Sequence, residues 1–321
     1  MLKPCLAAAV LAAAVLSPHA AAQGYPAKPI RLIAPYPPGG GIDGSARIMA
    51  QALTESLGQQ VVVDNRGGAS GRIGTEIASK APADGYHLLL GSVAPNAILP
   101  SAYSKLPYDA IKDFAPISLV AQTDYILTVH PSLPVKSVKD LIALARARPG
   151  QIVYASTGNL GGPHLAGELF KQLAKVNMVH VPYKGGGPAT TAILSGETSL
   201  IFGSGPTVVP HANAGRLRMI ATTGAARSRM LPQLPRVGEV LPGHEVTQWY
   251  GILAPAGTPQ DIIARLHDEI AKATKSPKVV QQFAAAGADA VSNTPEQFAA
   301  HIRAEIAKWG KVVKSAGLRL D

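Results

Sequence analysis

Four glycine-bearing segments hold the residue types best suited to chemistry. Residues 35–44 read Pro-Tyr-Pro-Pro-Gly-Gly-Gly-Ile-Asp-Gly, so Gly39, Gly41 and Gly44 fit the spacing of a dinucleotide fingerprint. Asp64 stands 20 residues past Gly44, where an acid would meet a ribose. The Pro35–Pro38 run weakens that reading, because it makes an extended approach instead of the tight turn a pyrophosphate needs. The physics beneath it is more general. Glycines at a helix start leave N–H groups unpaired and pointing outward, and such a site attracts any anion. The candidates in this segment are Tyr36, Pro38, Gly39, Gly40 and Asp43.

The second segment, 156–164, carries Ser156, Thr157 and Gly158 and ends on His164. Its hydroxyls can donate to a carboxylate, and its glycines expose backbone N–H groups. His164 is either a ligand contact or a cap packed at a helix start. The third segment, 183–188, holds Tyr183, Lys184 and Gly185, with Lys184 either an anion contact or a solvated charge. The fourth, 91–96, offers Ser92 and Asn96. Each helix terminus contributes about 0.3–1 kcal/mol, up to about 2 when partly buried. Micromolar affinity takes about 8 kcal/mol. Loop amides and hydroxyls in a cleft that closes over the ligand must therefore supply the rest.

Catalytic signatures are missing from the sequence. It has no Gly-x-Ser-x-Gly elbow, Walker A run or His-Glu-x-x-His, and its nine histidines lack ligand spacing. No enzyme activity, cofactor or metal is expected. Nucleic acid is not expected as a partner either, since only 5% of residues are aromatic and the basic residues do not cluster with them. The formal charge of +10 modestly favours anionic ligands.

The elements that must position these segments alternate. Ile30–Ala34 reads as a strand, and Ile42, Ala46, Met49, Leu53 and Leu57 mark one helix face that Gly58 stops. Val61–Val63 and His87–Gly91 are further strands, with a short helix over Arg72–Lys80. The scheme repeats from residue 126. Strands at Ile126–Val129, Ile152–Ala155, Val179–Val181, Leu200–Phe202 and Leu217–Thr222 alternate with helices ending at Arg148, Lys175, Leu194 and Ala214. Strand, helix, strand at these lengths predicts parallel βαβ units and an α/β fold, with ligands at the carboxyl ends of the strands. Two helices are expected to end the chain, one capped by Thr258 and stopped at Pro277, the other opened by the capping box Thr294–Gln297.

A length of 321 residues suits about two domains. Residues 1–22 read as a secretory signal, with Lys3 as the positive region, Leu6–Leu16 as the apolar stretch and Ala20–Ala22 as the cleavage site. Removing it would leave a charge of +9 and no cysteine, since Lys3 and Cys5 both lie within it. That composition fits a periplasm.

Across residues 25–321 the chain resembles the Bug-type periplasmic receptors of tripartite tricarboxylate transporters. The markers include Pro38-Gly39-Gly40 with Asp43, Val63-Asp64-Asn65-Arg66, Gly68-Ala69-Ser70-Gly71, Asp84-Gly85-Tyr86, Ser156 with Gly158 and His164, Val181-Pro182-Tyr183-Lys184-Gly185, and Trp249 followed by Ala254-Pro255-Ala256-Gly257-Thr258-Pro259. Their order and spacing make the set specific. The resemblance implies a two-lobed Venus-flytrap fold, type II-like, each lobe a mixed sheet flanked by helices. Lobe 1 would be discontinuous (25–122 and 223–321) and lobe 2 would span 123–222, with hinge strands near Leu119–Gln122 and Ile220–Thr222. It implies a monomer that binds a small organic carboxylate (dicarboxylate, tricarboxylate or aromatic acid) between the lobes and passes it to an inner-membrane permease. A sensor kinase is the alternative recipient, and a periplasmic oxidoreductase or hydrolase the remote alternative. The family's carboxylate loops match Pro38–Asp43, Ser92–Asn96 and Ser156–His164. Phe202-Gly203-Ser204-Gly205 stands where the family often has a Phe-Asp-Asn-like sequence, Leu160 where a small residue is common, and Val93-Ala94-Pro95 is apolar. These departures, with Ser204 as a further candidate contact, suggest a less polar acid.

Overall fold

The computed structural model describes residues 24–228, 230–315, 317 and 318. The signal read at 1–22 lies outside them. The chain begins β1 (Ile30–Ala34), α1 (Gly41–Leu57), β2 (Val61–Asn65), α2 (Arg72–Ser79), β3 (His87–Ser92) and α3 (Leu99–Ala102). It continues β4 (Phe114–Val129), α4 (Val138–Ala147), β5 (Val153–Ser156), α5 (Gly162–Ala174), β6 (Val179–Pro182), α6 (Gly186–Leu194), β7 (Leu200–Ser204), α7 (Gly205–Asn213) and β8 (Arg218–Thr222). The last elements are β9 (Thr247–Pro255), α8 (Gln260–Lys275), α9 (Pro277–Ala285), β10 (Asp289–Ala290) and α10 (Pro295–Ser315).

The strands run in the order β2-β1-β3-β9-β4-β7-β5-β6, with β8 and β10 also on β4. β1 is parallel to β2 and β3, as the βαβ pattern predicts, while β9 returns antiparallel to β3. β4 unites two sheet halves. Its residues Phe114–Asp124 pair with β9, and Tyr125–Val129 pair with β7 on one side. β8 pairs with Ile126–Val129 on the other side. The sequence pattern predicts a separate strand at Ile126–Val129; in the structure these residues are instead the end of a 16-residue strand. The polar break Gln122-Thr123-Asp124, which hid this continuity, lies where β4 passes from one partner set to the other.

Alternation along the strands gives each half two covered faces. Ile30, Leu32 and Ala34 pack with Ile42, Met49 and Leu53 of α1 and with Leu266 and Ile270 of α8. Ile33 and Leu89 face the opposite layer, which holds Phe298, Ile302 and Trp309 of α10. In the second half, Leu127 and Phe202 face Leu165 and Phe170 of α5, while Ile126 and Ile201 face Ile193 and Val208 on the other side. The result is a two-lobed α/β fold.

Two expectations at the C-terminal end need correction. Among the described residues three helices, not two, follow β9, because Pro277 both stops α8 and opens α9, where Ser276 Oγ accepts the Val279 N–H at 3.3 Å. Proline is tolerated at the first helical position because its missing N–H would be unpaired there. Thr258 does not cap α8. Its hydroxyl donates to the Pro255 carbonyl at 2.8 Å, and the helix starts at Gln260. No helix among the described residues is long and apolar enough to cross a membrane.

Candidate functional site

The cleft between the sheet halves is built from helix starts. α1 begins after Gly40, α5 after Gly161, α6 after Gly185 and α7 after Ser204. Residues from all four starts (Gly40, Gly41, Gly162, Pro163, Gly186, Ser204, Thr207) line one pocket of about 480 Å³ of empty space, part of it open to solvent. The N–H groups of a first helical turn have no partner within the helix. Four partly positive termini therefore surround one space. Tyr36, Tyr125, Tyr250, Thr157 and Gln248 complete the polar lining, and Ile42, Ala94 and Ile201 the apolar part. No Lys, Arg, His, Asp or Glu among the described residues lines it.

The tyrosines arrive as neutral donors, because burial pushes the phenols of Tyr36, Tyr125 and Tyr250 up. Tyr36 donates to the Ser70 carbonyl at 2.8 Å, and Tyr125 donates to Gln248 Oε1 at 2.8 Å. The Thr207 hydroxyl donates to the Ser204 carbonyl at 2.7 Å and lies 3.3 Å from Ser204 Oγ. The two halves also meet directly. Ser70 Oγ donates to the Asn159 carbonyl at 2.6 Å, and Pro38–Gly40 run alongside Gly186 and Gly187. At Gly158, with φ at +130°, a side chain would be strained and its Cβ would lie 2.5 Å from Ser70 Oγ.

Among the candidates from the sequence, Tyr36, Gly40, Thr157 and Ser204 line this pocket. The others stand behind it or at its rim. Asp43 is turned to the loop, where its Oδ2 accepts the Gly39 N–H at 3.0 Å and Arg47 Nε at 3.1 Å. Burial pushes its carboxyl up, but bonds from Arg47, the Gly39 amide and Asn65 together hold it below the usual range. Gly39 is therefore already committed as a donor, and Asp43 stays ionised as a support of the loop. Asp64, the acid the fingerprint would need, is ion-paired with Arg66 at 2.9 Å and Arg31 at 3.6 Å.

Ser92 and Asn96 lie beneath Ala94, with the Ser92 N–H donating to Asn96 Oδ1 at 3.1 Å. The Asn96 amide nitrogen is buried without a partner among the described residues, while the Ser92 hydroxyl stands at the Tyr36 phenol. Tyr183 turns its hydroxyl to Glu197 Oε1 at 2.7 Å. Lys184 is exposed, Pro38 is exposed at the rim, and Gly185 packs on Pro37 as the residue before α6. His164 accepts the Leu160 N–H on Nδ1 at 3.0 Å. Ser156 Oγ lies 2.5 Å from His180 Nε2, the pairing that can activate a serine nucleophile, but Ser156 is 0% exposed and reaches no substrate.

Sequence reasoning missed Tyr125, Gln248 and Tyr250. They reach the cleft from β4 and β9, and their only local signal is a polar or aromatic interruption in an apolar strand.

Two α/β halves around a cleft lined by helix starts define a solute-binding protein of the Venus-flytrap kind. The chain belongs to the tripartite tricarboxylate transporter family receptors, whose family pattern matches residues 45–318. It is 39% identical over 312 residues to Protein BugT of Bordetella pertussis, covering 97% of this chain and 96% of that one. A solved structure described as a periplasmic transporter superposes with a TM-score of 0.89 at 38% identity, covering 92% of this chain and 100% of the other. Rpa4515 of R. palustris, solved with adipate, gives a TM-score of 0.89 at 36% identity, covering 91% and 98%.

Proposed function

We propose that this receptor works in the periplasm, captures a small organic carboxylate in the cleft and delivers it to a tripartite tricarboxylate-type permease. The carrying observation is the convergence of four helix starts on one pocket whose lining, among the described residues, holds no charged side chain. Such a site takes an anion through backbone N–H groups and neutral hydroxyls. Gly41, Thr157, Gly162, Gly186, Ser204 and Thr207 would hold a carboxylate, and Tyr36, Tyr125, Tyr250 and Gln248 would shape the space beyond it. The lobes would comprise 25–122 with 223–321, and 123–222, moving about β4 and the Thr222–Thr223 exit. The adipate-bound neighbour supports this ligand class. The apolar Ile42, Ala94 and Ile201 favour an acid with a carbon chain or ring over citrate. Calorimetry with adipate, malate, benzoate and citrate tests the proposal. Micromolar or tighter binding of adipate or benzoate, with citrate weaker, is the expected outcome. A folded protein that binds none of the four would overturn it, and citrate as the tightest ligand would remove the preference for a less polar acid.

A further inference from the structure

A packed cluster behind the lining of the cleft has no part in the binding just described. His164, in the first turn of α5, and His180, on β6, stack face to face with ring centroids 4.0 Å apart and planes 16° apart. Tyr154 of β5 stacks on His180 at 4.9 Å. His180 Nε2 meets Ser156 Oγ at 2.5 Å, and that same hydroxyl oxygen accepts the Gly158 N–H at 3.2 Å. The Leu160 N–H donates to His164 Nδ1 at 3.0 Å. Glu168 faces His164 Nε2 at 3.8 Å and is bonded by Lys171 at 2.7 Å and by the Tyr154 hydroxyl at 2.6 Å. Tyr154, Glu168 and Lys171 are the titratable groups that face the histidine pair from β5 and α5.

These contacts fix a protonation state. Because Nδ1 of His164 accepts the Leu160 N–H, the ring's own proton sits on Nε2. A second proton has only Nδ1 to occupy, where it would point at the Leu160 N–H and end that bond. The face-to-face stack places any new charge against a second imidazole. Leu160 also sits in the left-handed region at φ 58°, with its side chain 1% exposed. A branched residue stays there only while its surroundings hold it. The adjacent Asn159 carbonyl accepts the Ser70 hydroxyl from the opposite lobe, and Thr157 and Gly162 of the same loop line the cleft.

We propose that His164 and His180 are positioning residues for the ligand cleft: as a neutral stacked pair they hold residues 156–162 in the shape that meets Ser70, and proton uptake by the pair releases that loop and the ligand with it. The proposal rests on the receptor reading for its ligand. Burial lowers both imidazoles, His180 to about 3, with Lys171 acting in the same direction and Glu168 opposing. A histidine lowered on folding contributes its full stabilisation above its free value of about 6.5 and loses it progressively as pH falls below that. The loop should therefore loosen progressively as pH falls from about 6.5 towards about 3.

The test compares adipate binding by the wild type and His164→Gln at pH 7.5 and pH 5. The glutamine amide oxygen can accept the Leu160 N–H and takes no proton, while protonation of adipate itself is common to both proteins. Between the two pH values the wild type should lose about tenfold more affinity than the variant. Equal losses would overturn the proposal. Hydrogen exchange at the Leu160 amide, corrected for intrinsic rate, serves as a second measurement on ligand-free wild type. Protection that falls at pH 5 supports the proposal, and unchanged protection overturns it whether or not adipate binds. If adipate binds at neither pH while Leu160 responds, the positioning role stands and adipate is removed as a ligand of the cleft.

Discussion

A methyl group on Gly41 would run into the Tyr250 hydroxyl and lie 2.5 Å from Ser204 Oγ, a side chain on the other half of the sheet. Gly41 opens α1, where alanine is a better helix former than glycine, so the substitution does not harm the helix itself. Its cost falls on the cleft, where both hydroxyls must move outward. Gly41→Ala should weaken carboxylate binding by at least about tenfold, about 1.4 kcal/mol. The melting temperature of the ligand-free protein should change by no more than a few degrees. Calorimetry and a thermal melt read the two effects separately, and unchanged affinity would show that the cleft does not close on this contact. Glycine and hydroxyl residues such as Gly40, Thr157 and Ser204 were legible because strand–glycine–helix junctions announce themselves locally. Asp43, Ser156 and His164 carry the right atoms, yet the sequence could not show which way those atoms turn. Asp43 and His164 turn theirs to the Gly39 and Leu160 amides of their own loops, and the Ser156 hydroxyl is held by Gly158 and by His180 of β6.

Elements were read best where a cap or a period settles them. β1 and the α1 stop at Gly58 fall where expected, and the α10 capping box forms in both directions, with the Thr294 N–H on Gln297 Oε1 at 3.0 Å and the Gln297 N–H on Thr294 Oγ1 at 3.3 Å. What stayed hidden was pairing between distant segments. β4 meets β9 across more than a hundred residues, as in Gln122↔Trp249, and no local pattern announces that. α10 is held to that pair through Glu305, whose Oε2 accepts both the Trp309 indole N–H at 2.9 Å and the Trp249 indole N–H at 3.4 Å. Glu305 is 8% exposed, and both indoles are buried. Glu305→Leu would leave two buried donors unpaired, at about 1–3 kcal/mol each. It should lower the melting temperature clearly, whereas Glu305→Gln, which keeps an acceptor oxygen, should lower it much less. Equal losses in the two variants would mean that packing volume, not the indole bonds, ties the helix down.

At the scale of the whole molecule, β4 runs from one half of the sheet into the other, and the point where it changes partners is acidic. Asp124 is the last β4 residue paired with β9, and Tyr125 is the first paired with β7. Around it stand Asp289 on β10 and Glu245 just before β9. Burial, then the charges of Asp289 and Glu245, push the Asp124 carboxyl up to about 6. A carboxyl raised above its free value of about 3.9 favours folding when protonated, so its contribution is present at low pH and is lost as pH rises through about 6. At neutral pH the Asp124 charge is therefore a cost. With the part of the group still in contact with water discounted, that cost is about 1–2 kcal/mol. Asp124→Asn keeps the shape and removes the charge. It should raise the melting temperature by a few degrees at pH 7.5, and the gain should vanish at pH 4, where the wild-type carboxyl is already protonated. Melts of both proteins at the two pH values decide it. A gain that persists at pH 4 would assign the effect to packing, and no gain at pH 7.5 would mean that the crossing strand accommodates its charge without strain on the fold.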